Sequence, residues 1–266
     1  VFAVMDEPLE DKSGDKNMDK LEGVIKFQDV NFSYTKDKQV LYDFNLQVKA
    51  GQKVALVGST GSGKTTVVNL LMRFYDVDSG EILIDDVNIK DIDCATLRKN
   101  TAIVLQDTVL FADTIKNNLK YSNEAATDEQ MYAAAAMGNC DTMINKMPLK
   151  YDTELMAEGE NISQGQRQLL SIARAFLAQP KILILDEATS NVDTRTEKHI
   201  QDAMLKLMEN RTSLIIAHRL STIQDADIIV VMDEGHIVEA GNHKELLNKM
   251  GRYYKLYMTQ FAGQTI

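Results

Sequence analysis

Gly58, Ser59, Thr60, Gly61, Ser62, Gly63, Lys64, Thr65 and Thr66 follow one another without interruption, and their reading decides the fold. A glycine, four residues, then Gly-Lys-Thr is the pattern of a phosphate-binding loop: backbone N–H groups cradle phosphates, the lysine reaches the terminal ones and the hydroxyl holds Mg²⁺. The flanks agree with it. Lys53 to Val57 is a short apolar run of strand type, and Thr65 to Phe74 reads as a helix whose positive N-terminal end faces the anion.

Outward from this loop, composition sets bounds. A chain of 266 residues with 44% hydrophobic and 26% charged residues buries a core of ordinary globular type, in one or two domains. The longest unbroken apolar run, Met131 to Met137, is seven residues, far short of the ~18 that read as a membrane span. The net charge of −10 argues against a chain built to grip nucleic acid. Cys94 and Cys140 lie in no CxxC or Cys/His cluster and read as unpaired thiols. Val1 to Leu21 is thinly apolar and highly charged, so residues 1–22 are expected to be a linker, and the start without methionine reads as a domain excised from a longer chain.

From Val24 the pattern predicts strands at Val24–Phe27, Val30–Tyr34 and Leu41–Val48, then a hairpin about Asp85-Asp86, a short helix at Ala95–Lys99 and a strand at Thr101–Leu105. Tyr34 is either an aromatic that stacks on a purine or a half-buried strand residue. Between about 107 and 179 the character is helical, with Asp113, Asp128 and Asp141 as expected caps and Ser163 opening a long helix with a buried stripe. Lys181–Leu185 predicts a buried parallel strand delivering Asp186 and Glu187 to its C-terminal edge. A helix at Arg195–Glu209, a strand at Thr212–Ala217, a hairpin about Asp233-Glu234-Gly235 and a helical segment from His243 to Phe261 broken at Gly251 complete an α/β fold.

The phosphate loop, Gln106, Ile162-Ser163-Gln164-Gly165-Gln166, Ile-Leu-Ile-Leu-Asp186-Glu187, Ser190-Asn191-Val192-Asp193 and Ile-Ile-Ala-His218-Arg occur in one order. As a set they resemble the nucleotide-binding domain of an ABC transporter, over about Val24 to the C-terminus. The resemblance implies a P-loop NTPase core of RecA-like type with an antiparallel β subdomain and an inserted helical subdomain, occupying residues 23–266.

The resemblance also implies roles. ATP would lie on Tyr34 and on Gly58, Ser59, Thr60, Gly61, Ser62, Gly63, Lys64, Thr65 and Thr66. Lys64 would neutralise phosphate charge, and Thr65, Asp186 and Gln106 would serve Mg²⁺. Glu187 would polarise the attacking water, with His218 at the γ-phosphate and Gln106 linking the core to the helical insertion. Ser163, Gln164, Gly165 and Gln166 would act in trans, closing over ATP held by a second ABC ATPase domain, with Asp193 at that interface.

The family pattern at this signature is Leu-Ser-Gly-Gly-Gln, and here Ile162 and Gln164 replace Leu and the first Gly. If glycine is needed there for its torsions, Gln164 weakens the signature. A heterodimeric exporter, in which a different subunit is the partner, accounts for this. The alternative is a homodimer that tolerates an outward-pointing Gln164.

The stretches after Gln106 and His218 are similar to exporter-type members, and Glu154–Gly159 stands where exporters touch their membrane domain. The expected place is therefore the cytoplasmic face of a membrane, joined to the transmembrane domain of a transporter. A non-transport ABC ATPase acting on DNA or ribosomes is the alternative, and neither a coiled-coil insertion nor a tandem core accompanies it here.

Overall fold

The computed structural model describes residues 14–18, 20–105, 108–186, 192–217 and 220–260. Its centre is a six-stranded sheet ordered β10-β9-β3-β8-β7-β6, with β3 (Lys53–Gly58), β6 (Thr101–Val104), β7 (Ile182–Asp186), β8 (Thr212–Ile216), β9 (Ile228–Asp233) and β10 (His236–Gly241). All neighbours are parallel except β10, which returns antiparallel to β9 through Glu234 and Gly235, both at positive φ. Two left-handed residues in succession match the twist of a tight hairpin, which is why this turn was legible.

The inner strands are continuous apolar runs because both faces of the sheet are covered. Ala55, Val57, Leu183, Leu185, Ile215, Ile229 and Val231 enter one core. Val54, Leu56, Ile182, Ile184, Leu214, Ile216, Val230 and Met232 enter the other. The alternation is the period of two in strand side chains, here with each face buried against a different layer.

One layer is an antiparallel sheet ordered β2-β1-β4-β5, built from β1 (Ile25–Thr35), β2 (Lys38–Val48), β4 (Ser79–Ile84) and β5 (Val87–Asn88), together with α1 (Lys64–Leu71) and α2 (Cys94–Lys99). The two early strands expected at Val24–Phe27 and Val30–Tyr34 are one strand. Asp29, at φ 48°, sits in a register shift between Phe27 and Val30, so the polar interruption is a bulge.

The other layer is helical: α3 (Ile115–Lys120), α4 (Asp128–Met137), α5 (Asp141–Asn145), α6 (Gln164–Ala178) and α7 (Thr194–Met208). The acidic caps expected here are not the caps found. Thr114 and Thr127 cap α3 and α4, and Cys140 precedes α5 with no side-chain capping bond. The Thr114 and Thr127 hydroxyls accept from the N–H groups of Asn117 and Gln130, and Asp128 pairs instead with Lys116 and Lys120 at 2.8 and 2.7 Å. Ser163 caps α6 as expected, through a reciprocal box with Gln166. Helix α8 (Leu220–Gln224) lies between β8 and β9, and α9 (His243–Lys249) and α10 (Arg252–Gln260) follow β10, divided by Met250 in the left-handed region.

The described part of the N-terminal stretch docks on this body despite its linker composition. The backbone N–H groups of Glu22, Gly23 and Val24 donate to the Asp85 carboxylate at 2.8, 3.0 and 2.8 Å. Leu21 is buried, and Lys16 Nζ pairs with Asp91 at 3.1 Å. A carboxylate in a hairpin turn thus holds the chain where it enters β1.

Candidate functional site

Parallel strands put their C-terminal ends on one edge, and the site is built there. Leu56 of β3 pairs with Ile216 of β8, and Ile216 pairs with Asp186 of β7. Asp186 is therefore two strands, about 10 Å, from the start of the phosphate loop. The side chains converge on a cleft of about 390 Å³ lined by Tyr34, Val40, Thr60, Gly61, Gly63, Lys64, Thr65, Thr66, Asp186 and Ile216.

The loop that follows β3 is shaped by backbone chemistry. Gly63 sits at φ 103° as the residue before α1, and a Cβ there would lie 2.8 Å from Leu41 Cδ2. Only glycine takes that turn without strain, and it brings the chain into α1 with no side-chain cap and no acid in the first turn. An uncapped helix start without carboxylates suits an anion. Lys64, the first residue of α1, is buried, and its ammonium donates to the carbonyls of Gly58 and Ser59 at 2.9 and 2.8 Å and to Ser62 Oγ at 3.3 Å. Burial lowers its pKa, and the Asp186 carboxylate opposes that shift. A desolvated cation beside a carboxylate and a hydroxyl, Thr65, is a fit for a polyphosphate with a hard divalent ion.

Tyr34 also lines the cleft and is 45% exposed, which fits a ring offered to a base. Ser59 and Ser62 serve the loop itself: Ser62 is buried and its N–H donates to the Ser59 carbonyl at 3.2 Å.

The signature segment forms its own local structure. Ser163 Oγ accepts from the Gln166 N–H at 3.3 Å, and the Gln166 side chain accepts from the Ser163 N–H at 2.8 Å. Gln164 is the first residue of α6 with φ outside the positive region, so this position makes no torsional demand for glycine. The condition under which Gln164 would weaken the signature through its torsions is therefore not met, since the helix begins at this residue. The glycine with a steric reason is Gly165, whose Cβ would stand 2.5 Å from Thr196 Cγ2 and 3.0 Å from Val192 Cγ1. Asp193 caps α7 by accepting from Thr196 N–H at 3.0 Å, and this bond holds its carboxyl below the usual range. None of the signature residues lines the cleft of the same chain. Gln106, Glu187, Ser190, Asn191 and His218 lie outside the described residues.

Sequence reasoning passed over a cluster behind the segment that follows Gln106. The buried Asn118 accepts from Phe111 N–H at 2.9 Å and donates to the Phe111 carbonyl at 3.0 Å. Arg174 donates to the Val109 carbonyl at 3.1 Å and lies over the rings of Phe111 and Tyr121. Arg167 similarly ties the loop before Ser163 by donating to the Gly159 and Ile162 carbonyls at 3.3 and 3.0 Å. Val109, Phe111, Tyr121 and Met156 are left exposed.

Comparison with known proteins agrees with this geometry. The family model described as ABC transporter matches residues 41–190. An uncharacterized ABC transporter ATP-binding protein, YfiC, of Bacillus subtilis is 52% identical over 98% of this chain and 44% of its own length. A fatty acid ABC transporter ATP-binding/permease protein of Mycobacterium bovis is 50% identical over 96% of this chain and 41% of its own. An ATP-dependent lipid A-core flippase of Idiomarina loihiensis is 48% identical over 99% and 46%. Among solved structures, a bacterial Atm1-family ABC exporter with ATP bound superposes with a TM-score of 0.87 at 38% identity, over 98% of this chain and 46% of that one. The chain spans about half the length of the relatives it matches. With its phosphate loop, its sheet order and these likenesses together, this chain belongs to the ABC transporter family, as an ATP-binding and ATP-hydrolysing domain.

Proposed function

We propose that this domain powers an exporter by binding and hydrolysing Mg-ATP as one member of a head-to-tail pair of ATPase domains. The observation that carries it is the single cleft in which Tyr34, Lys64, Thr65 and Asp186 meet. The Tyr34 ring takes the base, the backbone from Gly58 to Gly63 cradles phosphate, and Thr66 lies behind them in the wall. Lys64 exchanges two backbone carbonyls for phosphate oxygens, which adds anionic partners to the Asp186 carboxylate in offsetting its burial.

Mg²⁺, where bound by Thr65 and Asp186 with Gln106, supplies neutralisation of phosphate charge. Glu187 polarises a water for in-line attack on the γ-phosphorus, and the bond to the bridging oxygen breaks to give ADP and phosphate. Losing such a base costs about 10²- to 10⁴-fold in rate. His218 orients the γ-phosphate and the water.

Ser163, Gln164, Gly165 and Gln166 stand outside the cleft of their own chain, which supports action on ATP held by another domain. Asp193, at the head of α7 and packed next to Gly165 through Thr196, links the two sites. We propose a different subunit as that partner, on the bulk of Gln164 alone, because its helical torsions remove the backbone reason. The membrane partner is the transmembrane domain of the transporter, received on the exposed Val109, Phe111 and Tyr121 together with Glu154–Gly159, in which Met156 is exposed. The cytoplasmic face, where ATP is supplied, is the location that this reading proposes for the domain. No described helix is long and apolar enough to cross a membrane. The matched relatives are transporter proteins, and the DNA- or ribosome-acting alternative gains no support from them.

The test is the ATP-dependent mass in solution of Glu187→Gln, with and without Gln164→Gly. A dimer that appears only when Gln164→Gly is added supports a different natural partner. A dimer of Glu187→Gln alone removes the case for a heterodimer and leaves the homodimer. ATP binding that survives Lys64→Ala would overturn the cleft as the ATP site.

A further inference from the structure

The phosphate-binding part of the cleft is accounted for by Lys64 and Thr65, whereas the Tyr34 ring has more partners than a stacking surface needs. The Tyr34 hydroxyl donates to Thr66 Oγ1 at 3.3 Å and accepts from Asn69 Nδ2 at 3.1 Å. Its ring packs edge-to-face with Phe32, centroids 4.9 Å apart at 85°, and with Tyr75, 5.0 Å apart at 89°. Phe32 and Tyr75 also touch each other, at 5.8 Å.

These partners come from different parts of the fold. Tyr34 and Phe32 belong to β1 of the antiparallel sheet, and Tyr75 follows α1. Thr66 and Asn69 are three apart on α1, so they lie on one side of the helix that begins with the phosphate-binding Lys64. The phenol is therefore tied to the same rigid element that carries the phosphate site. A side chain 45% exposed would otherwise sample several rotamers and lose that freedom on binding.

We propose that Asn69 and Tyr75 are positioning residues for the nucleobase: with Thr66 they hold the Tyr34 ring at a set spacing from Lys64 and Thr65 before nucleotide arrives. Asn69 and Thr66 fix the outer end of the phenol, and Tyr75 fixes the tilt of the ring. Neither Asn69 nor Tyr75 lines the cleft, so each acts through Tyr34. This rests on the reading of Tyr34 as the base platform, and the test separates the two.

The measurement is calorimetric affinity of the chain for ATP and for inorganic tripolyphosphate, which has no base to stack. Asn69→Leu and Tyr75→Leu are each expected to lower the ATP to tripolyphosphate affinity ratio by about 5-fold, the size of one lost hydrogen bond or ring contact. Tyr75→Phe, which keeps the ring, restores the ratio lost in Tyr75→Leu, and Tyr34→Phe lowers it as Asn69→Leu does. A role confined to folding would weaken both ligands together and leave the ratio unchanged, which overturns the proposal. If Tyr34→Ala lowers the ratio while the Asn69 and Tyr75 variants do not, only the positioning role falls. If Tyr34→Ala leaves the ratio intact while Lys64→Ala removes both ligands, the base platform itself falls.

Discussion

Lys64 is the residue at which function and stability oppose each other. Its ammonium is buried against the carbonyls of Gly58 and Ser59, and burial lowers its pKa from 10.5. The folded chain therefore releases this proton at a lower pH than the unfolded chain does. Between the lowered value and 10.5 the unfolded state binds more protons, so the Lys64 contribution to stability rises with pH in that window. The expected slope is at most about 1.4 kcal/mol per pH unit for one proton. Urea denaturation of the wild type and of Lys64→Met from pH 8 to 10.5 checks it. The difference between the two curves is expected to move in favour of the wild type as pH climbs, and a flat difference would refute the burial cost.

Among elements, the crossing of α6 and α7 governs how the signature segment is presented. Gly165 lies in the first turn of α6, and its missing side chain lets Val192 and Thr196 close over it. Gly165→Ala would set a methyl 2.5 Å from Thr196 Cγ2, an overlap that is relieved only by moving one helix. Overpacking of this kind costs about 1–3 kcal/mol. Adding Thr196→Ser removes the methyl in the way while the cap from Asp193 to the Thr196 N–H is a backbone contact and survives. The double variant is expected to recover most of the urea midpoint lost by Gly165→Ala. No recovery would mean that the strain lies against Val192 or in the helix itself.

On the scale of the molecule, two separate cores on the faces of one sheet make its stability cooperative. Cys140 is in the helical layer and Cys94 in the layer with the antiparallel sheet, and both are buried. Burial pushes the Cys140 thiol up to about 12, so it stays protonated as well as shielded. Labelling of Cys140 by a thiol reagent at pH 8 is expected to be at least about 10³-fold slower in the folded chain than in urea, because it waits for an opening. Mass spectrometry of timed samples measures this rate. Rapid modification of Cys140 in the native protein would show that the helical layer opens without the sheet.

What the sequence by itself determined is what contiguous residues encode. The run from Gly58 to Thr66 sets torsions, an open helix start and a buried cation within nine residues. The apolar runs at Lys181–Leu185 and Thr212–Ala217 read as buried strands, and Asp233-Glu234-Gly235 as the turn of a hairpin. Ser163 with Gln166 is likewise a bond across three residues. Only the tertiary structure decided the rest. Asp85 clamps residues 22–24, Asn69 and Tyr75 hold Tyr34, Arg174 braces Val109 and Phe111, and Gly165 admits Thr196. Thr127 caps its helix while the neighbouring Asp128 pairs with Lys116, twelve residues away. Each of these depends on side chains distant in sequence meeting at a few ångströms. Local propensity carries no information about such meetings, because they exist only once both faces of the sheet have been covered.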